Sequence, residues 1–233
     1  MEYRFTSLII SSSFLFIWMI LFLFRKDVRK EMMFLSLGAS ITALPIMAVY
    51  VQDWWHPLTV TNTAVGLEDI VSSFAIAGIA AVLYEEVFRK KVWRKHNVSE
   101  KKRNLNIAIM VSIMAVLFFG GFYILSLNSF AATVLALVVG LAIVYIQRPD
   151  LIKYSIASGF MMLFVAYIAY GITWIFTPDW LDKYMYFTNI PRVVLGCMAL
   201  DDVIWFFLAG ALIGPFYEYW QHGRFVQIHV DKD

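Results

Sequence analysis

Seven apolar stretches dominate this chain, and they constrain its fold more than any other feature. A helix needs about 20 apolar residues to cross the hydrocarbon core of a bilayer. The runs Phe5–Phe24, Met32–Val51, Leu67–Phe88, Leu105–Leu125, Phe130–Ile146, Tyr154–Phe176 and Leu200–Trp220 each approach that length. Charged residues make up only 15% of the chain. A soluble domain usually carries about 25%, so these runs cannot all be wrapped in a wetted surface. The expectation is an all-α integral membrane protein, located in the cell membrane and multi-pass. The start, Met1 to Arg4 followed by an apolar run, has no small-residue cleavage site and reads as a retained helix.

Orientation follows from lysine and arginine, which accumulate on the cytoplasmic side. The loops after the first, third and fifth runs and the C-terminal tail hold 16 of the 19 basic residues. Arg4, Lys183 and Arg192 are the remainder. This places the N-terminus outside and the C-terminus in the cytoplasm. The basic runs Arg25–Lys30 and Arg89–Arg103 sit beside membrane helices, so they read as topology signals and headgroup contacts. They do not suggest a nucleic-acid patch.

The chain also repeats itself. Leu67–Glu85 aligns without gaps to Leu200–Glu218, and 5 of the 19 pairs are identical. Apolar similarity is cheap between membrane helices, but the polar matches are not. Glu68/Asp201, Asp69/Asp202, Tyr84/Tyr217 and Glu85/Glu218 all fall in register. Arg25-x-Asp27 after the first run resembles Arg148-x-Asp150 after the fifth, and Asp53-Trp54 resembles Asp179-Trp180. The predicted organisation is one membrane domain, 1–233. It comprises two parallel three-helix repeats, 1–95 and 129–233, joined by helix 4 within 96–128. One intervening helix gives both copies the same direction in the membrane, with a pseudo-twofold axis along its normal.

The spans contain no Lys, Arg or His, which excludes a retinal Schiff base. No nucleotide loop, flavin motif or nicotinamide motif is visible, and no cofactor is expected. His56, His96, His222 and His229 lack ligand spacing, and the single Cys197 excludes a disulfide framework; no metal site is expected. The informative groups are acids. Glu68-Asp69 and Asp201-Asp202 open the third and seventh runs. A carboxylate there also satisfies helix N–H groups and complements the helix dipole. Two adjacent acids, where one would cap, offer a donor and an acceptor. Trp205 and Phe206 lie four residues after Asp201 and Asp202, which stacks a ring on the same helix face as each acid. An acid beside a ring suits carbocation chemistry, because the ring face stabilises the cation. Ser72 and Ser73 occupy those places in the first copy. Tyr84-Glu85 and Tyr217-Glu218 close the same runs on the basic side. There, salt bridges to Arg89, Lys90 and Arg224 and interfacial anchoring account for them.

At the acids Gly66-Leu67-Glu68-Asp69 and Ala199-Leu200-Asp201-Asp202, the chain resembles the lycopene cyclase domain of carotenoid cyclases. That membrane unit of three helices often occurs twice in one chain and carries a Pro-x-Glu-(Glu) element. The duplication covers nearly the whole chain, although the Pro is missing from both copies and the second has Asp for Glu. The resemblance implies a carotenoid-biosynthesis isomerase, or intramolecular lyase, that cyclises the end group of a linear polyene without redox change. It makes Glu68, Asp69, Asp201 and Asp202 the acid and base; the candidate substrate-contacting rings beside them are Phe74, Trp205, Phe206 and Phe207. Its partners would be membrane lipids, a hydrophobic polyene or isoprenoid substrate, and a homo- or hetero-oligomer. Two other classes fit the layout. One is a small-solute transporter of the SWEET type, which also has three-plus-one-plus-three helices. The other is a non-catalytic lipid-binding or assembly subunit using the acids only as caps.

Overall fold

A computed structural model describes residues 3–55, 58–88, 90–94, 100–181, 194–221 and 223–227. All four histidines, and most of the Trp180–Arg192 stretch expected to lie along the external interface, fall outside these residues. Among the described residues, seven helical segments are long and apolar enough to cross a membrane.

Helix α1 spans Thr6–Phe24 and α2 Arg29–Asp53. Between them Arg25 turns back on Asp27 through two bonds of 2.9 and 3.0 Å. Pro45 lies inside α2 without ending it. Helix α3 is Leu67–Phe88, followed by strand β1, Lys90–Arg94. Helix α4 is Glu100–Tyr123 and α5 is Ser129–Gln147. The Asn128 side chain caps α5, accepting the Ala131 N–H at 2.7 Å. The turn to α6, Ile152–Phe176, repeats the first turn's chemistry, with Arg148 on Asp150 through two bonds of 2.8 Å. A short hairpin, β2 Val194–Leu195 and β3 Met198–Ala199, turns through Gly196 at φ 65°. That left-handed backbone favours glycine. The hairpin leads directly into α7, Leu200–Ile213.

The seventh span is not one helix, as its apolar run suggests. It stops at Gly214 and resumes as α8, Phe216–Gln221. Pro215 has no N–H to continue the ladder and its ring crowds the preceding turn. Strand β4, Gly223–Gln227, then pairs antiparallel with β1, Lys90 opposite Gln227.

The packing is organised around α3 and α7. Helices α1 and α2 both pack on α3, and α5 and α6 both pack on α7. Across the middle α1 meets α6, α2 meets α5, and α3 meets α7. Helix α4 touches chiefly α5 and α8, at the edge. In α3 the apolar window is 67% buried, against 17% in α4, which makes α3 the hub. Small residues allow this. A methyl at Gly78 would meet Trp18 Nε1 at 2.2 Å and Ser36 Oγ at 2.3 Å. The Trp18 indole N–H donates to Ser36 across that gap at 3.0 Å, tying α1 to α2 over α3. At the α6–α7 contact a methyl at Gly210 would meet the Met162 Cβ at 2.5 Å.

Large apolar side chains also cover the outside. Phe16, Phe24, Ile41, Val116, Ile146 and Ile175 are at least 60% exposed. Their exposure to water would be unfavourable by about 25 cal/mol per Å², whereas lipid tails accept them. Such a surface, on seven apolar helices, suggests a multi-pass membrane protein.

Candidate functional site

The four acids at the starts of α3 and α7 are buried, with Glu68, Asp69, Asp201 and Asp202 between 3% and 5% exposed. None points into bulk water. Each finds a different local environment.

In the first pair, Asp69 is a helix cap. Its Oδ2 accepts the Gly66 N–H at 2.9 Å and its Oδ1 accepts the Trp55 indole N–H at 3.2 Å. Gly66 stands three residues before Asp69, so the carboxylate reaches back over the first turn as the acid of a capping box does. Glu68 turns toward the preceding loop, where its Oε1 accepts the Val60 N–H at 2.6 Å. The loop closes tightly on it, since a methyl at Gly66 would meet Glu68 Oε2 at 2.5 Å. On the helix, Ser11 of α1 bonds the Glu68 carbonyl at 2.9 Å and Ser72 at 2.8 Å.

In the second pair no side chain caps the helix at Ala199. Asp201 accepts the indole N–H of Trp54, which comes from the end of α2 in the other half of the chain. Asp202 lies beside the Tyr170 hydroxyl of α6, and its Oδ2 has no partner among the described residues. The Trp180 indole N–H is likewise buried without a partner among them. Trp180 is 1% exposed; it lies inside the protein and not along the interface. Its ring is hydrophobic enough to fill the space between Trp55 and Tyr170, at centroid distances of 6.1 and 5.8 Å.

Rings enclose this region. Tyr170 meets Phe206 edge-on at 5.8 Å, Phe206 meets Trp205 at 4.9 Å, and Phe14 of α1 stacks on Phe206 at 5.7 Å. Trp205 and Phe206 therefore stand at the acid end. Phe207 and Phe74 pack elsewhere. Phe207 lies against Phe160 at 5.0 Å, and Phe74 against Trp18 at 4.9 Å. An apolar groove between α1 and α6, lined by Leu8, Ser12, Phe16, Ile20, Ile168 and Ile172, faces outward, and none of the four acids lines it.

Trp54, Trp55, Tyr170 and Trp180 carry no role in the sequence reading. The doubled Asp-Trp pattern marks two of them. Tyr170 sits within an apolar run and leaves no signal.

The opposite end corrects one expectation. Glu85 and Glu218 are not exposed interfacial acids but 2% and 0% exposed. The break at Gly214–Pro215 lets α8 fold in, and Glu31 from the first turn of α2 joins them, itself 5% exposed. Tyr84 is buried too, with its ring edge-on to Tyr154 at 4.9 Å. Among the described residues no three His, Cys, Asp or Glu side chains adopt a metal-binding arrangement. No protein-family model matches the chain, and no curated protein or solved structure matches it either.

Proposed function

We propose that this is a lycopene-cyclase-like protein of the cell membrane that cyclises the end group of a linear carotenoid or isoprenoid polyene by acid catalysis, without redox change. The observation that carries the reading is Asp202. It is a buried carboxyl with one oxygen unpartnered among the described residues, and it lies beside Tyr170, whose ring meets Phe206 edge-on. In the proposed reaction Asp202 in its acid form gives its proton to the terminal double bond. The cation closes on the neighbouring double bond, and a ring proton passes to a second carboxylate, Asp201. The atoms of substrate and product are the same. Burial serves this chemistry because water would quench the cation, and ring faces stabilise it.

The proposed architecture is two parallel repeats, 1–95 and 129–233, joined by α4, with the N-terminus outside and the C-terminus cytoplasmic. The pattern of neighbours supports it. Exchanging α1–α3 with α5–α7 maps α1 on α3 onto α5 on α7, and α1 beside α6 onto α5 beside α2. The turns supply a second support, since Arg25–Asp27 and Arg148–Asp150 form the same two-bond pair.

Expression in cells that accumulate a linear carotenoid, followed by pigment analysis, tests the activity. Ring-bearing pigment is expected with the wild-type chain and is lost with Asp202→Asn. Unchanged pigment at normal protein levels refutes the reading. The cap bonds of Asp69 and the loop bond of Glu68 favour a second reading for the first pair, in which the protein is a lipid-binding or assembly subunit. Such a subunit leaves the pigments of the same cells unchanged.

A further inference from the structure

Helix α2 ends on Asp53, and this residue and the two that follow it, Trp54 and Trp55, each reach the start of a different helix. Asp53 Oδ2 accepts the N–H of Ser129, the first residue of α5, at 2.9 Å. The Trp54 indole N–H donates to Asp201 in the first turn of α7. The Trp55 indole N–H donates to Asp69 Oδ1 in the first turn of α3 at 3.2 Å. The local cause is the way α2 stops. The main-chain N–H groups of Trp54 and Trp55 both donate to the Tyr50 carbonyl at 2.9 Å, so the helix closes there and adjacent indoles reach acids on two different helices.

The Trp54 ring has little freedom. It is 5% exposed and meets Tyr50 edge-on at 4.7 Å and Phe130 edge-on at 5.1 Å. Tyr50 is held in turn, since its hydroxyl accepts the Thr133 hydroxyl at 2.9 Å. An indole offers a single donor at a set place on a rigid ring. A ring fixed by packing therefore fixes the acid that accepts from it. The doubled tryptophan belongs to the first half alone, because the matching stretch of the second half reads Asp179-Trp180-Leu181. One helix end thus ties an acid of each pair, Asp69 and Asp201, to neighbouring residues.

We propose that the end of α2 positions the acid site: Trp54 orients Asp201 to accept the ring proton, while Asp53 and Trp55 lock the same helix end to α5 and α3. This rests on the cyclisation proposed above. Trp54 is a positioning residue, which acts through Asp201 and gives up no proton itself. Its bond restrains the rotation of the carboxyl, and misplacing a reacting group by about 1 Å lowers a rate by about a hundredfold.

The test uses the full chain and Trp54→Phe, which keeps a ring against Tyr50 and Phe130 and removes the N–H. In phosphatidylcholine nanodiscs, nitrogen-15 magnetic resonance follows the indole N–H groups, with the Trp54 and Trp55 signals assigned by their loss in Trp54→Phe and Trp55→Phe. The Trp54 signal is expected to move in Asp201→Ala and stay in place in Asp69→Ala, and the Trp55 signal to do the reverse. In cells that accumulate a linear carotenoid, Trp54→Phe is expected to lower ring-bearing pigment by about tenfold to a hundredfold at matched protein levels. Gly78→Ala, which strains the bundle toward the middle of α3, keeps the pigment at the same levels. A Trp54 signal indifferent to Asp201→Ala overturns the positioning. So does full pigment in Trp54→Phe, or an equal loss in Gly78→Ala, which would mark general destabilisation. If the wild-type chain forms no rings, the reaction itself is refuted and the role of Trp54 falls with it, even where the signals move.

Discussion

Replacing Gly78 by alanine tests how the bundle is held together. The new methyl would lie 2.2 Å from Trp18 Nε1 and 2.3 Å from Ser36 Oγ. That is about 1 Å inside ordinary contact. The serine can rotate, but the indole cannot swing aside. It is 7% exposed, stacked on Phe22 at 4.7 Å and tilted against Phe74 at 4.9 Å. Helix α3 must therefore back away, and the Trp18–Ser36 bond of 3.0 Å breaks. Overpacking costs about 1–3 kcal/mol and the lost hydrogen bond about 1 kcal/mol. Removing a helix-interior glycine returns about 1 kcal/mol, which leaves a net loss of about 2 kcal/mol. Gly171→Ala is the control, because a methyl there meets nothing within 4 Å; it is expected to be neutral or slightly stabilising. Equilibrium unfolding in mixed micelles, followed by far-ultraviolet circular dichroism, measures both. If Gly78→Ala is as stable as Gly171→Ala, the close approach of α1, α2 and α3 is wrong.

Three further outcomes follow from the site and its flanks. Asp69→Asn weakens the Gly66 and Trp55 bonds and lowers stability by about 1 kcal/mol; chemical unfolding that finds wild-type stability would show that the cap contributes nothing. Arg148→Ala breaks the pair with Asp150 and the bond to the Glu218 carbonyl and lowers stability by about 1 kcal/mol; unchanged chemical unfolding would show that these bonds contribute nothing. In a Cys197→Ala background, Thr61→Cys reacts with an impermeant thiol reagent added to intact cells and Lys26→Cys does not; the opposite labelling would invert the proposed orientation.

What the sequence determined by itself is the set of elements and their polar ends. Seven apolar runs, broken by the Arg25–Lys30 cluster and its counterparts, set seven spans within a few residues of their structural limits. The span is so legible because a lipid-facing backbone must satisfy its own hydrogen bonds, and a helix does so locally. The in-register acids likewise marked both ends of α3 and of the broken span formed by α7 and α8. The tertiary structure alone decided what those acids meet. Nothing in the run from Leu200 indicates that Asp201 takes its donor from Trp54, 147 residues away, or that Tyr170 reaches Asp202. The physical reason is that lipid tails are as apolar as a helix interface. Ile168, which faces outward, and Ala169, which is fully buried, look alike in sequence. Without polar residues to mark the outer face, the inward face of each span is legible only once its neighbours are in place. That is also why Glu85 and Glu218 read as surface groups in the sequence and are buried in the fold: their place depends on a break at Gly214–Pro215 and on Glu31 arriving from another helix.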